Sequence, residues 1–346
     1  MERKYYICKT RALADLTRHL LLVGLAFGFI LIVVRNQQQQ WWLRLLAVHV
    51  YALLQIRSFS ILHDCAHNSY TPCKKTNHLI GWGMSLLTHR FFPAYKLRHL
   101  IHHQTNGLRH NTHDFPFNET VFHTVAQYKA MAPIQRGLYR FLRGPPLNLG
   151  VLLFGFLKFV VAEHFSFLRC ARRHRLELLG SQVCFSLGSL FIMALFAHLG
   201  LLYEYIFNLN IVAWLAFALV HNEHTFNPPY VVDADAEDAE DAETKKWTIR
   251  DSGLKGSSYI QIPPALWPLK YLFMGLEYHH IHHMNAQIPG YHLQRYAETF
   301  HLHDIRRHQL VKLSLRDCWH NLWLVLYDED TRTYKTFAEA DAPRLY

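Results

Sequence analysis

Four stretches of this 346-residue chain are apolar enough to decide what it can fold into. His19 to Val34 reads HLLLVGLAFGFILIVV, and Trp41 to Leu62 follows after a short polar turn. Gly180 to Leu202 and Tyr205 to Val220 form a second closely spaced pair. A helix needs about 20 mostly apolar residues to cross a bilayer, with about 17 the lower limit. The third run meets this by itself, and the others meet it once their flanks are included. The first run lacks a small-residue cleavage site and the second follows at once, so it reads as a retained span and not as a signal peptide.

Charge sets the orientation. Arg3, Lys4, Lys9, Arg11 and Arg18 precede the first run, the turn RNQQQQ has Arg35 alone, and the turn between the last two runs has no Lys or Arg. This asymmetry predicts that both termini and the histidine-bearing bulk are cytoplasmic. Arg44 and Arg57, near the two ends of the second run, are placed to snorkel. Leu147 to Val161 is short, is interrupted by Lys158 and follows Gly144-Pro145-Pro146. If it spanned, the histidine clusters would face opposite sides, so it is expected at the interface, as is Leu79 to Phe92.

The expected fold is therefore an all-α membrane protein with two transmembrane helical hairpins under a cytoplasmic helical cap. The predicted boundaries are a cytoplasmic N-terminal segment 1–18, a first hairpin 19–62 and a cap region 63–179 with interfacial helices. A second hairpin 180–220, further cap 221–300 and a C-terminal cytoplasmic segment 301–346 follow. Within the cap, the stretch DADAEDAEDAE holds seven acids, and residues 232–246 around it are expected to be a disordered acidic loop. The net charge of +10 suits an anionic lipid surface or an acidic electron donor. Nucleic acid is not an expected partner, because the basic residues flank membrane segments and form no single stripe. Six cysteines without a C-x-x-C pair are expected as reduced thiols.

The chemistry lies in the histidines. Of 26, nine fall into four clusters: His63 and His67 in HDCAH; His99, His102 and His103 in HLIHH; His224 in HNEHTF; and His279, His282 and His283 in HHIHH. On a helix, residues three and four apart share a face, so the multi-histidine clusters each aim two or three imidazoles at one place. Imidazole suits iron, zinc, copper and nickel. Two full H-x-x-H-H boxes hold more ligands than a single metal uses, which points to a dinuclear centre. Adjacent buried imidazoles without a metal are costly. His224 taken alone would pass for an ordinary residue. His19, His49, His78, His123, His198, His301 and His308 have no partner at a useful spacing and read as packing or surface residues.

The segments HDCAHNS, RHLIHHQTNG, EHTF, GSSYIQIPP and EYHHIHHMNAQIPGYHL together resemble the membrane-bound fatty-acid desaturase family, most closely its bacterial acyl-lipid branch. The resemblance runs from about His63 to Tyr296. It implies a mushroom-like helical fold, two iron ions and O2-dependent removal of hydrogens from an acyl chain. It also implies the ligand set His63, His67, His99, His102, His103, His224, His279, His282 and His283. Some positions depart from the branch pattern. Ala66 and Asn68 stand where it usually has glycines, and Glu223 stands where it has glutamine. Arg295-Tyr296-Ala297 occurs where a further histidine is common. The residues themselves leave Glu223, His221 and His224 as three candidates to complete the site.

Ligating imidazoles usually donate their other N–H to a carboxylate or carbonyl, and Asp64, Asp114, Glu223 and Glu277 lie near enough in sequence to serve. The alternative for each is a solvated charge at a helix end. Trp82 and Tyr278 are candidates to line a substrate tunnel, or equally to be core aromatics. Acid–base side chains cannot remove hydrogen from an unactivated CH2 group, so the oxidant must come from a cofactor. No haem-binding HPGG segment or ferredoxin cysteine run occurs, so electrons are expected from a separate ferredoxin, or from a small cytochrome with its reductase.

The expected activity is an O2-dependent di-iron desaturase acting on a lipid-linked or thioester fatty acyl chain, in a bacterial inner membrane in preference to an endoplasmic reticulum. The nearest alternative is a di-iron hydroxylase, ketolase or decarboxylase of a lipid or hydrocarbon, since the outcome depends on fine placement of the carbon. A more distant one is a histidine-rich membrane metal transporter or receptor, which would hold its ligands near the bilayer midplane.

Overall fold

The structure is a computed structural model that describes residues 7–36, 40–106, 122–144, 155–157, 160–170, 172–227, 248–302 and 310–343. In chain order its helices are α1 (Lys9–Arg35), α2 (Trp41–Ala66), α3 (Lys74–Leu87), α4 (Phe92–Thr105), α5 (Val125–Ala130) and α6 (Pro133–Arg143). Then come α7 (Arg172–His198), α8 (Leu202–His224), α9 (Ile249–Leu254), α10 (Trp267–Phe273), α11 (His279–Met284), α12 (Gly290–Thr299), α13 (Leu315–Asn321) and α14 (Phe337–Asp341). Four of them, α1, α2, α7 and α8, are long and apolar enough to cross a membrane. The acidic stretch, Asp114 and most of Leu147–Val161 lie outside the described residues.

The long helices extend beyond the apolar runs that predict them. At 27 residues, α1 is roughly 40 Å long, and it starts ten residues before its apolar run. Polar contacts hold this early part: Asp15 is ion-paired with Arg57 of α2, Tyr70 donates to Asp15 Oδ2 at 3.0 Å, and His19 Nε2 meets Ser58 Oγ at 2.8 Å. A charge buried against α2 is tolerable only when paired in this way.

Side-chain contacts fix how the long helices run. Ala12 of α1 clusters with Ile61 and Cys65 of α2, whereas Ile30 clusters with Val48, so these two helices are antiparallel. Along α8, Tyr205 meets Tyr51 and Gln55 of α2, and Leu219 clusters with Ile56, so α8 follows the direction of α2. At the late end of α7, Phe196 stacks on Tyr205 with ring centroids 3.8 Å apart. The C-terminal ends of α2 and α8 therefore arrive at the same end of the bundle, carrying His63 and His67 on one and His224 on the other.

The all-α expectation omits two small sheets. β1 (His123–Thr124) pairs parallel with β4 (Leu326–Asp328), which pairs antiparallel with β5 (Thr333–Lys335). β2 (Ser258–Ile260) pairs parallel with β3 (Val311–Leu313). Strands of two or three residues are too short to display the alternation by which a strand is read from sequence. Their effect is to tie distant segments: β1 lies just before α5, while β4 and β5 lie near the C-terminus.

The region read as one interfacial helix, Leu79 to Phe92, contains a break. α3 ends at Leu87, His89 takes a left-handed turn (φ 50°), and α4 begins at Phe92. The packing is close, since a Cβ on Gly81 would lie 2.5 Å from the Phe92 ring. The buried carboxylate of Glu163 anchors this turn. It accepts from the Phe91 N–H at 3.1 Å and pairs with Arg90 at 3.2 Å and Arg98 at 3.4 Å. The start of α4, the helix of the second histidine box, is held by Glu163 together with Ser85, whose Oγ accepts from the Phe92 N–H at 3.2 Å.

Candidate metal centre

Three histidine boxes occupy three helices. His63 lies in the last turn of α2 and His67 caps it; His99, His102 and His103 lie on α4; His279, His282 and His283 lie on α11. α11 is only six residues long, so the chain around it must set its direction. Met274 and Gly275 both adopt left-handed conformations before it, with φ 52° and 91°. At Gly275 a side chain is also excluded by space, because a Cβ would lie 2.5 Å from the Gly290 carbonyl oxygen. Gly290 in turn donates its N–H to Asp64 Oδ2 at 2.7 Å, which joins the first box to the segment behind the third.

The nine histidines lie in two groups. His63, His67, His99, His103 and His282 form one, and His102, His224, His279 and His283 the other; within each, ligand nitrogens lie within 4.8 Å of one another. Neighbouring residues of a box point to different groups. Consecutive residues on a helix diverge by about 100°, while residues four apart nearly coincide. His99 and His103 thus serve the first group and His102 the second; His279 and His283 serve the second and His282 the first. The groups adjoin: the rings of His103 and His283 stack at 4.2 Å.

The nitrogen contacts test whether a metal fits. His103 Nε2 lies 3.2 Å from His99 Nε2 and 2.9 Å from His282 Nε2. His279 Nε2 lies 3.0 Å from both His224 Nε2 and His283 Nε2. One ring nitrogen carries at most one proton, so it cannot donate to two neighbours at once. Hydrogen bonds among the rings leave lone pairs facing one another. A cation among them removes that conflict, and nitrogens about 2.1 Å from a metal at right angles sit about 3 Å apart. Among the described residues the buried Nε2 atoms of His63 and His67 have no hydrogen-bond partner, as expected of metal donors.

In four of the rings Nδ1 faces oxygen. His224 Nδ1 meets the Gly256 carbonyl at 3.1 Å, and His283 Nδ1 meets Ser252 Oγ at 3.3 Å. His63 Nδ1 is 3.4 Å from Asp64 Oδ1, and His279 Nδ1 is 3.4 Å from Glu223 Oε1. Such partners fix tautomer and ring direction in metal sites. Burial, reinforced by neighbouring imidazoles, holds His67, His99, His103, His279, His282 and His283 well below the usual imidazole pKa. These six rings are neutral, which is the form that binds metal. The donor set fits a transition metal with a taste for imidazole, iron among them.

A sequence model of the fatty acid desaturase family matches residues 39–314. The chain belongs to the fatty acid desaturase family. A relative, the fatty acid desaturase of Bacillus subtilis (strain 168), is 25% identical over 319 residues, spanning 86% of this chain and 81% of that protein. As a desaturase-family member the chain is an oxidoreductase, a desaturase or a related lipid oxidase, and a fatty acyl substrate and membrane lipids go with that assignment.

Other residues singled out from sequence are more dispersed. Of the three candidates at the end of α8, His224 joins a nitrogen group, while Glu223 stands behind His279. His221 is turned away, with Nε2 2.8 Å from the Asn321 carbonyl oxygen. Glu277 is buried, burial raises its pKa to about 7, and its Oε2 has no hydrogen-bond partner among the described residues. Tyr278 stacks on Tyr259 at 4.8 Å and packs with Ile281 and Leu293, and Trp82 Nε1 donates to His78 Nε2 at 3.1 Å. Ser252, Gly256 and Asn106 escape the sequence reading. Asn106 Nδ2, three residues past His103, donates to the Ser252 and Gly256 carbonyls at 3.1 Å each. Its place in the segment RHLIHHQTNG was the available signal.

Proposed function

We propose that this protein is an O2-dependent di-iron desaturase that introduces a C=C bond into a lipid-linked or thioester fatty acyl chain. The observation that carries the proposal is the division of nine imidazoles into two adjoining groups, each assembled from several helices. Two ferrous ions held there would supply, from O2, the oxidising power to take two hydrogens from neighbouring CH2 groups. The overall change converts CH2–CH2, O2, two electrons and two protons into CH=CH and two waters.

The chain's own residues bind, orient and exclude. His63, His67, His99, His103 and His282 hold one ion, and His102, His224, His279 and His283 the other. Asp64 and Glu223 aim His63 and His279 from behind, and the Gly256 carbonyl and Ser252 do the same for His224 and His283. Burial of the rings keeps bulk water from the centre, which protects the reacting carbon from side reactions. The electrons come from a separate protein, a ferredoxin or a small cytochrome with its reductase, drawn to a basic cytoplasmic face. Both termini and the metal centre are cytoplasmic, in a bacterial inner membrane. A metal transporter fits less well, because the ligands sit at helix ends and in short helices outside the four long ones.

Lipid profiling tests this reading. A host producing the wild-type chain should accumulate an acyl species lighter by two hydrogens, and the His102→Ala variant should accumulate none. An oxygen-bearing product without a new double bond would assign the chain to the hydroxylases or ketolases. The same unsaturated product from His102→Ala would overturn the ligand assignment.

A further inference from the structure

Helix α6 is turned inside out for a helix on a water-facing surface. None of its residues is buried, and Ile134, Leu138 and Leu142 are exposed by 81, 56 and 40%. Spaced four apart, these three form one outward stripe. The basic and phenolic side chains face the other way and are engaged by the protein. Arg136 lies 5.4 Å over the Tyr128 ring and donates to the Lys129 carbonyl at 2.7 Å, and Tyr139 donates to the Val325 carbonyl at 2.7 Å. Arg140 donates to Tyr128 and pairs with Asp341. A helix on a soluble domain buries its apolar stripe; α6 leaves its apolar stripe bare and turns its basic face toward the protein.

Its position explains why. Arg143, at the end of α6, lies 5.3 Å over the ring of Phe217 on α8. Phe217 precedes the end of α8 at His224 by about two turns, roughly 10 Å, and so lies within the apolar span. Two other short elements touch the same stretch of α8 and also bare apolar groups. α10 packs Leu272 and Phe273 in a cluster with Leu215 and Leu219, and at its start exposes Trp267 by 67%. α13 hydrogen-bonds to His221 through Asn321 and exposes Trp319 by 47%. Tryptophan is favoured where hydrocarbon meets headgroups.

We infer that α6, with the exposed tryptophans of α10 and α13, seats the metal-bearing part of the protein in the headgroup region of the bilayer. The occupant of the Ile134–Leu138–Leu142 stripe is lipid. A bilayer surrounding α8 at the level of residues 215–221 reaches all three elements at once, and an uncharged stripe facing outward suits the boundary between acyl chains and headgroups. The inference rests on α8 being a membrane span. Its consequence is mechanical: the histidines at the ends of α2 and α8 are held at a fixed depth relative to the lipid.

Photo-crosslinking of the full chain in vesicles of phosphatidylethanolamine and phosphatidylglycerol tests it. A benzophenone side chain is placed in turn at positions 134, 138, 187 and 294. Leu187, exposed by 64% in α7, reports on the membrane itself, and exposed Gln294 on α12 gives the background. Lipid adducts several-fold above the Gln294 background at both 134 and 138, as at 187, are expected. Adducts at 187 but background at 134 and 138, or crosslinks there to a second copy of the chain, overturn the inference while leaving the membrane reading intact. Background at 187 as well removes both.

Discussion

The two histidine groups are built from the same kinds of parts in unequal amounts. The first has five rings, two from the end of α2, two from α4 and one from α11. The second has four, two from α11, one from α4 and a single one from α8. The carboxylate behind the first group, Asp64, also accepts the Gly290 N–H and so doubles as a structural tie. The carboxylate behind the second, Glu223, sits beside His224 in sequence but faces His279. In both groups the Nε2 atoms are crowded at about 3 Å, yet the second has no ring in reserve. The first group should therefore tolerate loss of one ligand better than the second.

The largest expected effect comes from breaking that inequality directly. His279→Ala leaves three rings in the second group and removes the nitrogen that two others face. We expect iron to fall to about one equivalent and product formation to drop more than the roughly 100-fold that loss of an outer-shell partner can cost. His67→Ala leaves four rings in the first group and should retain more metal than His279→Ala. Iron content by elemental analysis beside product yield decides the matter. Equal metal loss in the two variants would mean that ligand number does not distinguish the groups.

A smaller effect is expected from the carboxylates. Glu223→Gln keeps an oxygen acceptor for His279 Nδ1 but loses the charge, and should weaken metal retention at the second group by about 10- to 100-fold. Asp64→Asn weakens the first group similarly and, because the same side chain holds Gly290, should also lower the thermal unfolding midpoint. The readouts are metal release to a chelator and thermal unfolding in detergent. If Glu223→Gln lowers the unfolding midpoint as much as Asp64→Asn, the contrast between a tuning carboxylate and a tying one fails.

What could be read from the sequence follows the range over which each signal acts. The apolar runs marked the positions of the four long helices, because a span declares itself within one segment. Eight of the nine histidines stand out for the same reason, since three-and-four spacing is local; His224 has no such partner and is singled out only by the resemblance of the residues around it. The sorting of the nine into groups was not legible: a helical wheel separates His102 from His103 but does not say which neighbouring helix each one faces. The partners Ser252 and Gly256 lie more than 20 residues before the third box, so no spacing rule reaches them. The early start of α1 depends on Asp15 finding Arg57, a pairing 42 residues apart. The direction of α6 escaped for a related cause. Its sequence shows an amphipathic helix, but only the positions of Tyr128, Asp341 and Phe217 reveal that the basic face is the inner one.

The smallest effect isolates a single hydrogen bond in the four-ring group. Ser252 Oγ lies 3.3 Å from His283 Nδ1, and Ser252→Ala removes that contact without adding bulk. A bond of this length and neutral character is worth about 1 kcal/mol, a factor of roughly five in metal retention at the second group, with the first unchanged. The Ser252 carbonyl, which accepts from Asn106, survives the substitution, so the tie between α4 and α9 should hold. A chelation time course resolves the two groups as separate phases, and only the faster phase should quicken. Acceleration of both phases would mean that the two groups do not release metal independently, and that the stacked rings of His103 and His283 bind them into one unit.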